Sequence, residues 1–328
     1  FTEPELAAAD LQFGLMLNHD HKNGCEGDVT DGCSNGGYIA MGFRDHNDGS
    51  PNGTEQLLDH LEAIPLPQGN LSHPYQGKEL YFEFFRYLSG QDVFNGHVGH
   101  IDYGDGCGKD NLDDDDTPSP GCKIDTDFDP LVHWDSTIES GDAYVSPWSE
   151  GSKLECSSAY VVNFMFGVTN QDSDSDTEIE RSKESGGLAL DLSGNNNKFN
   201  SVIDRLYDLD MADGSWGAAI DLEGKQNVVS HFVYKGNVQN TMNGYALAGG
   251  GRAIEVSDDP RLLTEELKNL FLGIIRQTST FEAPAVTVNS YNRLSHLDSL
   301  YYALFAPEMK PDWPGNLKKY RLGEIEVD

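Results

Sequence analysis

The strongest constraint on the fold is an almost unbroken apolar run in the middle of the chain, AYVVNFMFGVT at residues 159–169. A half-exposed strand would alternate polar and apolar residues, and this run does not. It is typical of a parallel strand that helices cover on both faces. The run is also shorter than the roughly 18 apolar residues that cross a bilayer. We therefore expect a central strand of an α/β sheet here and no membrane span.

Strands and helices alternate on either side of this run. Apolar stretches and helical spacing predict strands at 11–18, 37–43, 228–234 and 251–256 and helices at 55–64, 78–88, 199–209 and 257–277. Thr54 is the expected N-cap of the first helix, the second should bury one apolar stripe, and Pro260 should open the last after Ser257 or Asp258 as its cap. This alternation predicts a doubly wound, mostly parallel α/β sheet.

Two parts of the chain depart from this pattern. Residues 91–155 resemble a long insertion that is acidic and rich in Gly and Pro, and loops of this length are usually functional or disordered. After residue 283 the charges are nearly balanced, and aromatic and branched residues suggest β structure. We therefore expect an α/β domain over 1–283, with the acidic insertion, and a linker with the start of a β domain over 284–328.

The charge of the chain narrows the classes of partner. Asp and Glu number 55 against 22 Lys and Arg, which gives a formal net charge of −33. Such a surface repels the phosphate backbone of nucleic acids and the head groups of anionic lipids. The densest basic run, Lys318, Lys319 and Arg321, is too small to offset this repulsion. The sequence therefore argues against nucleic acid and against membrane surfaces as partners.

Five cysteines lie in loops rich in Gly, Asp and Asn, and none forms a C-x-x-C pair. Cys25 and Cys33 could close one short loop, and Cys107 and Cys122 another across the acidic insertion. The odd number suggests a partner outside this sequence for the fifth cysteine, or a pair of Cys122 with Cys156 instead. Disulfides persist in oxidising compartments, so we expect a secreted or cell-surface protein. Reduced thiols in a cytosolic protein are the alternative.

One acidic cluster has the spacing of a calcium loop. Asp125, Asp127 and Asp129 match the first three ligand positions of an EF-type loop. Pro130 stands where that loop needs Gly, and Ser136 stands where it needs Glu. Because clustered carboxylates repel one another, a bound cation would relieve their repulsion. These three residues are therefore candidate calcium ligands.

Signatures of enzymes are weak. The loop at 31–37 (DGCSNGG) lacks the nucleophile motif of papain-like proteases. The glycines at 249–251 lack the Lys and Ser/Thr of a phosphate loop and precede a strand instead of a helix. Four histidines with metal-compatible spacing have no accompanying Glu motif, namely His19, His21, His97 and His100. We therefore predict a protein that is not an enzyme and has no catalytic residues.

The C-terminal segments carry the most specific signal. AGGGRAIEVSD (248–258), APAVTVNSYNRL (283–294) and LYYALFAPEMKPDWPGNLKKYRL (300–322) closely resemble the type IV pilus tip-adhesin and assembly-factor family. In that family a von Willebrand factor A-like domain is joined to a C-terminal β-propeller, and the motif W-x-G-N-L-K-K-Y-x-L marks the junction. Further segments are similar to the last strand and helix units of the A-like domain, at 146–176, 202–214 and 225–236.

The resemblance implies a pilus-associated surface protein at the pilus tip or cell surface of a bacterium, either a tip adhesin or a pilus assembly factor. It would act in cell adhesion by binding, with minor pilins and a host or environmental surface as partners. Long acidic loops at 18–36, 91–155 and 170–198 would be presented by a rigid scaffold. The alternative is a structural subunit of an extracellular filament or sheath that uses the same fold.

This chain departs from the motifs that form the metal site of the family. Its Asp-x-Ser-x-Ser motif does not occur in the chain. Its Gly-x-Thr-Pro loop corresponds to 76–79, which puts Lys78 at a ligand position, and its Thr-Asp-Gly loop corresponds to Thr169 and Asn170. A positive side chain and a lost carboxylate weaken cation affinity, so we do not expect an intact adhesion-type Mg²⁺ site. Thr169 and Asn170, with Asp172 and Asp174, remain candidate calcium ligands.

If the acidic loops bind calcium, calorimetric titration should detect at least one site with a dissociation constant of about 10⁻⁴–10⁻³ M, the range of extracellular calcium modules. Replacing the carboxylates of Asp125, Asp127 and Asp129 by Asn should remove one site. The matched control replaces three consecutive acids, Asp113 to Asp115, and should keep it. Absence of any heat of binding at millimolar calcium would show that these loops are only solvated.

Overall fold

The computed structural model places a three-stranded parallel sheet, flanked by helices, in the second half of a mixed α/β chain. It describes residues 9, 11–18, 37–64, 77–94, 96, 101–102, 123–124, 134–149, 157–165, 167–169, 175–215, 222, 224–256, 259–278, 299–305 and 315–321. The chain divides into two compact units, one of residues 10–263 and the other of residues 1–9 with 264–328. No helix in the described ranges is both long enough and apolar enough to span a membrane.

The predicted strands and helices are present, with shifted ends. The strands are β1 (Gln12–Asn18), β2 (Gly37–Asp45), β3 (Ile101–Asp102), β4 (Lys123–Ile124), β5 (Glu139–Ser140), β6 (Ala143–Tyr144), β7 (Ala159–Met165), β8 (Val228–Tyr234), β9 (Gly250–Glu255), β10 (Ser299–Phe305) and β11 (Gly315–Arg321). The helices are α1 (Gly53–Ala63), α2 (Gly77–Ser89), α3 (Asp176–Glu180), α4 (Lys198–Asp208), α5 (Gln239–Ala248) and α6 (Pro260–Thr278).

The parallel sheet has the order β7-β8-β9. β7 and β8 pair in register from Ala159 opposite Val228 to Met165 opposite Tyr234. The apolar run was predicted to be the central strand, but the central strand of this sheet is β8, which is buried along almost its whole length. β7 alternates between buried and more exposed residues, and among the described strands it pairs only with β8. This sheet is compatible with a Rossmann-like core.

β1 and β2 form a separate antiparallel pair, and α1 packs beside them. The prediction that Thr54 caps α1 is wrong. The side chain of Asn52 accepts a hydrogen bond from the Glu55 backbone, and the Glu55 carboxylate accepts one from the Asn52 backbone, so a complete capping box starts the helix two residues earlier. The Thr54 hydroxyl donates instead to the His46 carbonyl at 2.8 Å, which ties the helix to the end of β2.

Helix α2 lies at the centre of the unit. The sequence predicted one buried stripe, but every residue of this helix except Arg86 is buried. It packs against β2, against α4 and against residues 143–149, so it has no solvent face. The last of these segments belongs to the predicted insertion, whose Tyr144 and Trp148 join the main hydrophobic core. The end of the insertion is thus part of the folded scaffold.

Helix α5 was not predicted. Its sequence QNTMNGYALA contains two Asn and a Gly, which are poor helix formers, and the sequence indicated only a turn at its end. Burial of Met242 and Tyr245 against β8 and β9 stabilises the helix in place of intrinsic propensity. Tertiary packing therefore decides the structure of this segment.

The second unit contains the β structure predicted near the C-terminus. β10 and β11 pair antiparallel, from Ser299 opposite Arg321 to Phe305 opposite Gly315. α6 opens in the first unit, at Pro260 as predicted, and continues into the second from residue 264, while its predicted caps Ser257 and Asp258 lie outside the described residues. The predicted domain boundary after residue 283 also lies outside them.

A histidine completes the hydrogen bonding between β8 and β9. The register of the two strands shifts after Ser230. Next to this irregularity, the Arg252 backbone N–H donates to His231 Nδ1 at 3.0 Å, so Nδ1 carries no proton and the ring is neutral. The ring is buried and stacks on Tyr160. Burial, and secondarily the charge of Arg252, lower the pKa of His231 to about 4.

Acid should therefore destabilise the protein through His231. The ring titrates near pH 6.5 when unfolded and near pH 4 when folded, so its stabilising contribution is complete above pH 6.5 and is lost as the pH falls to 4. A shift of this size corresponds to about 3 kcal/mol in the free energy of unfolding. Asn at position 231 keeps an acceptor and does not titrate. Urea unfolding should therefore give wild type a steeper loss of stability than H231N between pH 7 and 4, and parallel losses would contradict this role.

Candidate functional site

Three helices begin close together at the edge of the parallel sheet where β7 ends. α2 opens with Gly77 and Lys78, α3 with Asp176 and α4 with Lys198. Side chains in the first turns of these helices contact one another. The crevice at the carboxyl ends of parallel strands is where open α/β sheets bind ligands. This edge is therefore the candidate functional site of the described chain.

Two lysines and two carboxylates meet at this edge, and we refer to Lys78, Glu79, Asp176 and Lys198 as the lysine–carboxylate cluster. Lys198 Nζ donates to Asp176 Oδ2 at 2.6 Å. Lys78 Nζ lies 3.6 Å from Asp176 Oδ1 and also donates to Glu79 Oε1. Asp176 therefore bridges two ammonium groups from two other helices, and the four formal charges of the cluster cancel.

The cluster is shielded from water. The side chains of Lys78 and Glu79 are 0% and 1% exposed, and those of Lys198 and Asp176 are 9% and 16% exposed. Removing charges from water is expensive, and their mutual attraction only offsets that cost. Removing one member of a buried pair is strongly destabilising, because its partner is left uncompensated. The cluster thus fixes the first turns of α2, α3 and α4 relative to one another.

Aromatic rings and a threonine lie beside the cluster. The ring of Phe199, next to Lys198, is 5.1 Å from that of Tyr81 and 4.9 Å from that of Tyr245. The hydroxyls of Thr169 and Tyr245 are hydrogen-bonded at 3.0 Å, and both residues are buried. Burial raises the pKa of Tyr245, while the bond to Thr169 opposes this rise. The Thr169 hydroxyl is therefore held within the core.

A polar residue inside the apolar run links the sheet to α2. Asn163 Nδ2 donates to the Tyr81 hydroxyl at 2.6 Å and to the His231 carbonyl at 3.1 Å. Burial raises the pKa of Tyr81 to about 12, so its hydroxyl stays protonated at physiological pH. The contacts satisfy buried polar groups. Asn163 is therefore a structural residue that joins the sheet to α2 beside the candidate site.

A second buried carboxylate fixes the ends of the acidic insertion. Glu83 Oε1 accepts hydrogen bonds from the Tyr144 hydroxyl at 2.5 Å and from the Phe94 backbone at 3.1 Å. Burial, and then the charge of Glu83, raise the pKa of Tyr144 well above its usual value. Because Phe94 and Tyr144 stand near the two ends of the insertion, one α2 side chain anchors both.

Another predicted loop starts and ends near the cluster. Asn18 and Gly37 are paired at the ends of β1 and β2, so residues 19–36 leave and return at one point. A Cβ at Gly37 would stand 2.2 Å from the Leu17 carbonyl oxygen and 2.6 Å from the Leu80 side chain. Glycine is required by this close approach. Since Leu80 lies in the first turn of α2, the base of this loop adjoins the site.

Most of the predicted site residues lie outside the described residues. These are the metal candidates Asp125, Asp127, Asp129, Asn170, Asp172 and Asp174 and the disulfide candidates Cys25, Cys33, Cys107 and Cys122. Of the predicted 170–198 loop, the described part from residue 175 onward is folded, and it buries Ile179, Leu188 and Leu192. Among the described residues, no three His, Cys, Asp or Glu side chains are grouped so as to hold a metal ion.

An adhesion-type divalent cation does not fit the residues at this edge. Lys78 brings a positive charge into contact with Glu79 and close to Asp176, the carboxylates that could have served as ligands. Thr169, the other ligand position in the described part, is bonded to Tyr245. Ammonium and divalent cation would repel each other in a site of low dielectric constant.

The sequence pointed to Lys78 but not to its partners. In the sequence, Asp176 is one of several acids that alternate with other residues after Asp172, and Lys198 is the residue before a predicted helix. The available signal was a Lys-Glu pair at the start of a helix that is otherwise largely apolar. Ionic residues at such a position need internal partners if the helix is buried, but the sequence does not say where those partners lie.

Comparisons with known proteins give no relative of this chain. No protein-family model matches it, no curated protein is detectably similar, and no solved structure resembles it significantly. The resemblance to the pilus family therefore stays a prediction from the sequence segments. The fold that the structure itself supports is a mixed α/β unit with a three-stranded parallel sheet flanked by helices.

Removing the bridging carboxylate should destabilise the protein strongly. D176N keeps the shape of the side chain but leaves the Lys78 and Lys198 ammonium groups without it, and we expect a loss of about 3–5 kcal/mol in the free energy of unfolding. The matched control is D213N, which removes the partner of Lys183 in a more exposed pair at 3.3 Å; it should lose less than about 1 kcal/mol. Equal losses in urea titrations would refute a special role for Asp176.

Proposed function

We propose that this protein is a type IV pilus-associated surface protein, a tip adhesin or pilus assembly factor, which acts by binding. In this proposal residues up to about 283 form a von Willebrand factor A-like domain, and β10 and β11 belong to the start of a propeller-type β domain. The protein would work outside the cell, at the pilus tip or cell surface. Its chemistry would be recognition without bond breaking.

The agreement between sequence segments and structural units supports this proposal most directly. The segments similar to the pilus family, at 146–176, 202–214, 225–236 and 248–258, coincide in order with β7, much of α4, β8 and β9. With α5 between β8 and β9, these units alternate strand, helix, strand, helix and strand, with the strands parallel, which is the arrangement expected of the last units of an A-like domain.

The proposed recognition surface is the edge where β7 ends. Phe164 and Val168 are 57% and 52% exposed there, and exposed aromatic residues often dominate the energy of binding surfaces. The strand ends that flank the predicted loop at 18–36 adjoin the same edge, and so do Thr169 and Asp176, which flank the segment at 170–175. Both segments are acidic overall, so a partner with basic groups would be complementary.

In this proposal, the residues behind this surface form a rigid framework that presents it to a partner. The lysine–carboxylate cluster fixes the starts of three helices, and Asn163 joins the sheet to α2. A rigid scaffold reduces the ordering cost of binding, which allows its loops to carry specificity. The proposed mechanism therefore needs no chemical step, only a surface held in one shape.

Point substitutions can test this proposal without disturbing the core. Serine at Phe164 and Val168 removes exposed apolar surface from the proposed edge, and should weaken capture of purified minor pilins at least about tenfold, since hot-spot truncations cost about 2 kcal/mol or more. The control is L247S, because Leu247 is 83% exposed at the opposite end of the sheet, where α5 ends.

The readout is surface plasmon resonance with circular dichroism as a check on folding. Equal affinity of the F164S/V168S variant and wild type would reject this edge as the binding surface. Absence of binding by wild type to any pilin preparation would reject the pilus proposal. Concentration-dependent growth of purified protein into filaments would favour the alternative of a structural subunit, since open-ended assembly needs two different complementary faces.

A further inference from the structure

Two features of the position of Lys78 make a positive charge there energetically unfavourable. Its side chain is completely buried, which penalises an ammonium group. It also lies in the first turn of α2, where the helix dipole places partial positive charge and favours anions. Lys198, the first residue of α4, faces the same unfavourable dipole. Nearby carboxylates stabilise both ammonium groups in these unfavourable positions.

In the part of the chain that the structure describes, carboxylates from two separate helices lie near Lys78. Glu79 belongs to α2 and Asp176 to α3, and the ammonium group contacts the first and lies 3.6 Å from the second. Carboxylate oxygens converging from separate elements at the end of a parallel strand are the donors that hard divalent cations prefer. The positive charge between them here belongs to the chain.

We propose that the Lys78 ammonium group is the resident cation of this edge. Together with Lys198, it neutralises Glu79 and Asp176 as a bound divalent ion would, but it is covalently tethered and cannot be removed by chelation or dilution. The edge therefore keeps its shape without a divalent metal. If the proposed function holds, recognition at this edge needs no divalent ion between Glu79 and Asp176, a consequence that rests on that function.

The proposal predicts that removing the ammonium creates a dependence on metal. K78M keeps most of the volume of the stem and removes one of the two positive charges of the cluster, so that Glu79 and Asp176 face the Lys198 ammonium alone within the cluster. Its melting temperature in chelator should fall by at least about 5 °C relative to wild type, as expected for the loss of a buried charge partner. Millimolar Mn²⁺, Mg²⁺ or Ca²⁺ at constant ionic strength should restore part of the loss.

Two further variants make this test specific. K78M/D176N lacks one of the two carboxylates and should gain nothing from the metal. K183M removes a more exposed lysine from its ion pair with Asp213, and its response to metal should equal that of wild type. A K78M protein that responds to metal no more than K183M would overturn the proposal.

Wild type and D176N keep the proposal testable if K78M does not fold. The melting-temperature difference between them should be the same in chelator and in each metal, because the cation that Asp176 neutralises is part of the chain. A difference that shrinks in chelator would mean that Asp176 already binds a divalent ion, and would overturn the proposal. Since the readout is thermal stability, failure here leaves the pilin-binding test unaffected, and the reverse is also true.

Discussion

Burial of α2 on nearly all sides is the constraint on which the rest of the described unit depends. A helix without a solvent face must satisfy every charged side chain internally, and α2 carries three that are fully buried, Lys78, Glu79 and Glu83. Two of them, Lys78 and Glu83, contact groups from other parts of the chain. Lys78 approaches Asp176 on α3, and Glu83 accepts from Tyr144 near the end of the insertion. The polar residues of one helix thus determine which distant segments pack around it.

These polar contacts provide specificity more than net stability. Apolar residues of similar volume often replace buried ion pairs with no loss of stability, so the cluster is not needed simply to hold the fold together. What apolar residues cannot do is select one arrangement among several that bury similar area. Asp176 is satisfied only when α2 and α4 both start beside it, within hydrogen-bonding or ion-pairing distance of their lysines. This requirement sets the relative positions of three helices at the end of β7.

The local elements of this fold were largely predictable from sequence, and their arrangement was not. Apolar runs and helical spacing located β7, β8, α2 and α4, because these signals arise within a few neighbouring residues. Helix α5 escaped prediction because packing outweighs its weak propensity. The same apolar run that located β7 could not show that β8 is the central strand, since strand order is a property of the sheet. Lys78 and Asp176 are nearly a hundred residues apart, so no local pattern could pair them.

The paired residues Asn18 and Gly37 have a consequence for how this protein can change. Because strand pairing already holds Asn18 and Gly37 together, the two ends of the segment between them lie close to each other. That segment therefore contributes little to the pairing of β1 with β2. Segments of very different length can therefore be exchanged there at a small entropic cost. Position 37 itself has no such freedom, because any side chain would strike the neighbouring strand and Leu80. The whole segment can therefore be replaced, in evolution or by grafting a foreign peptide, as long as Gly37 is retained.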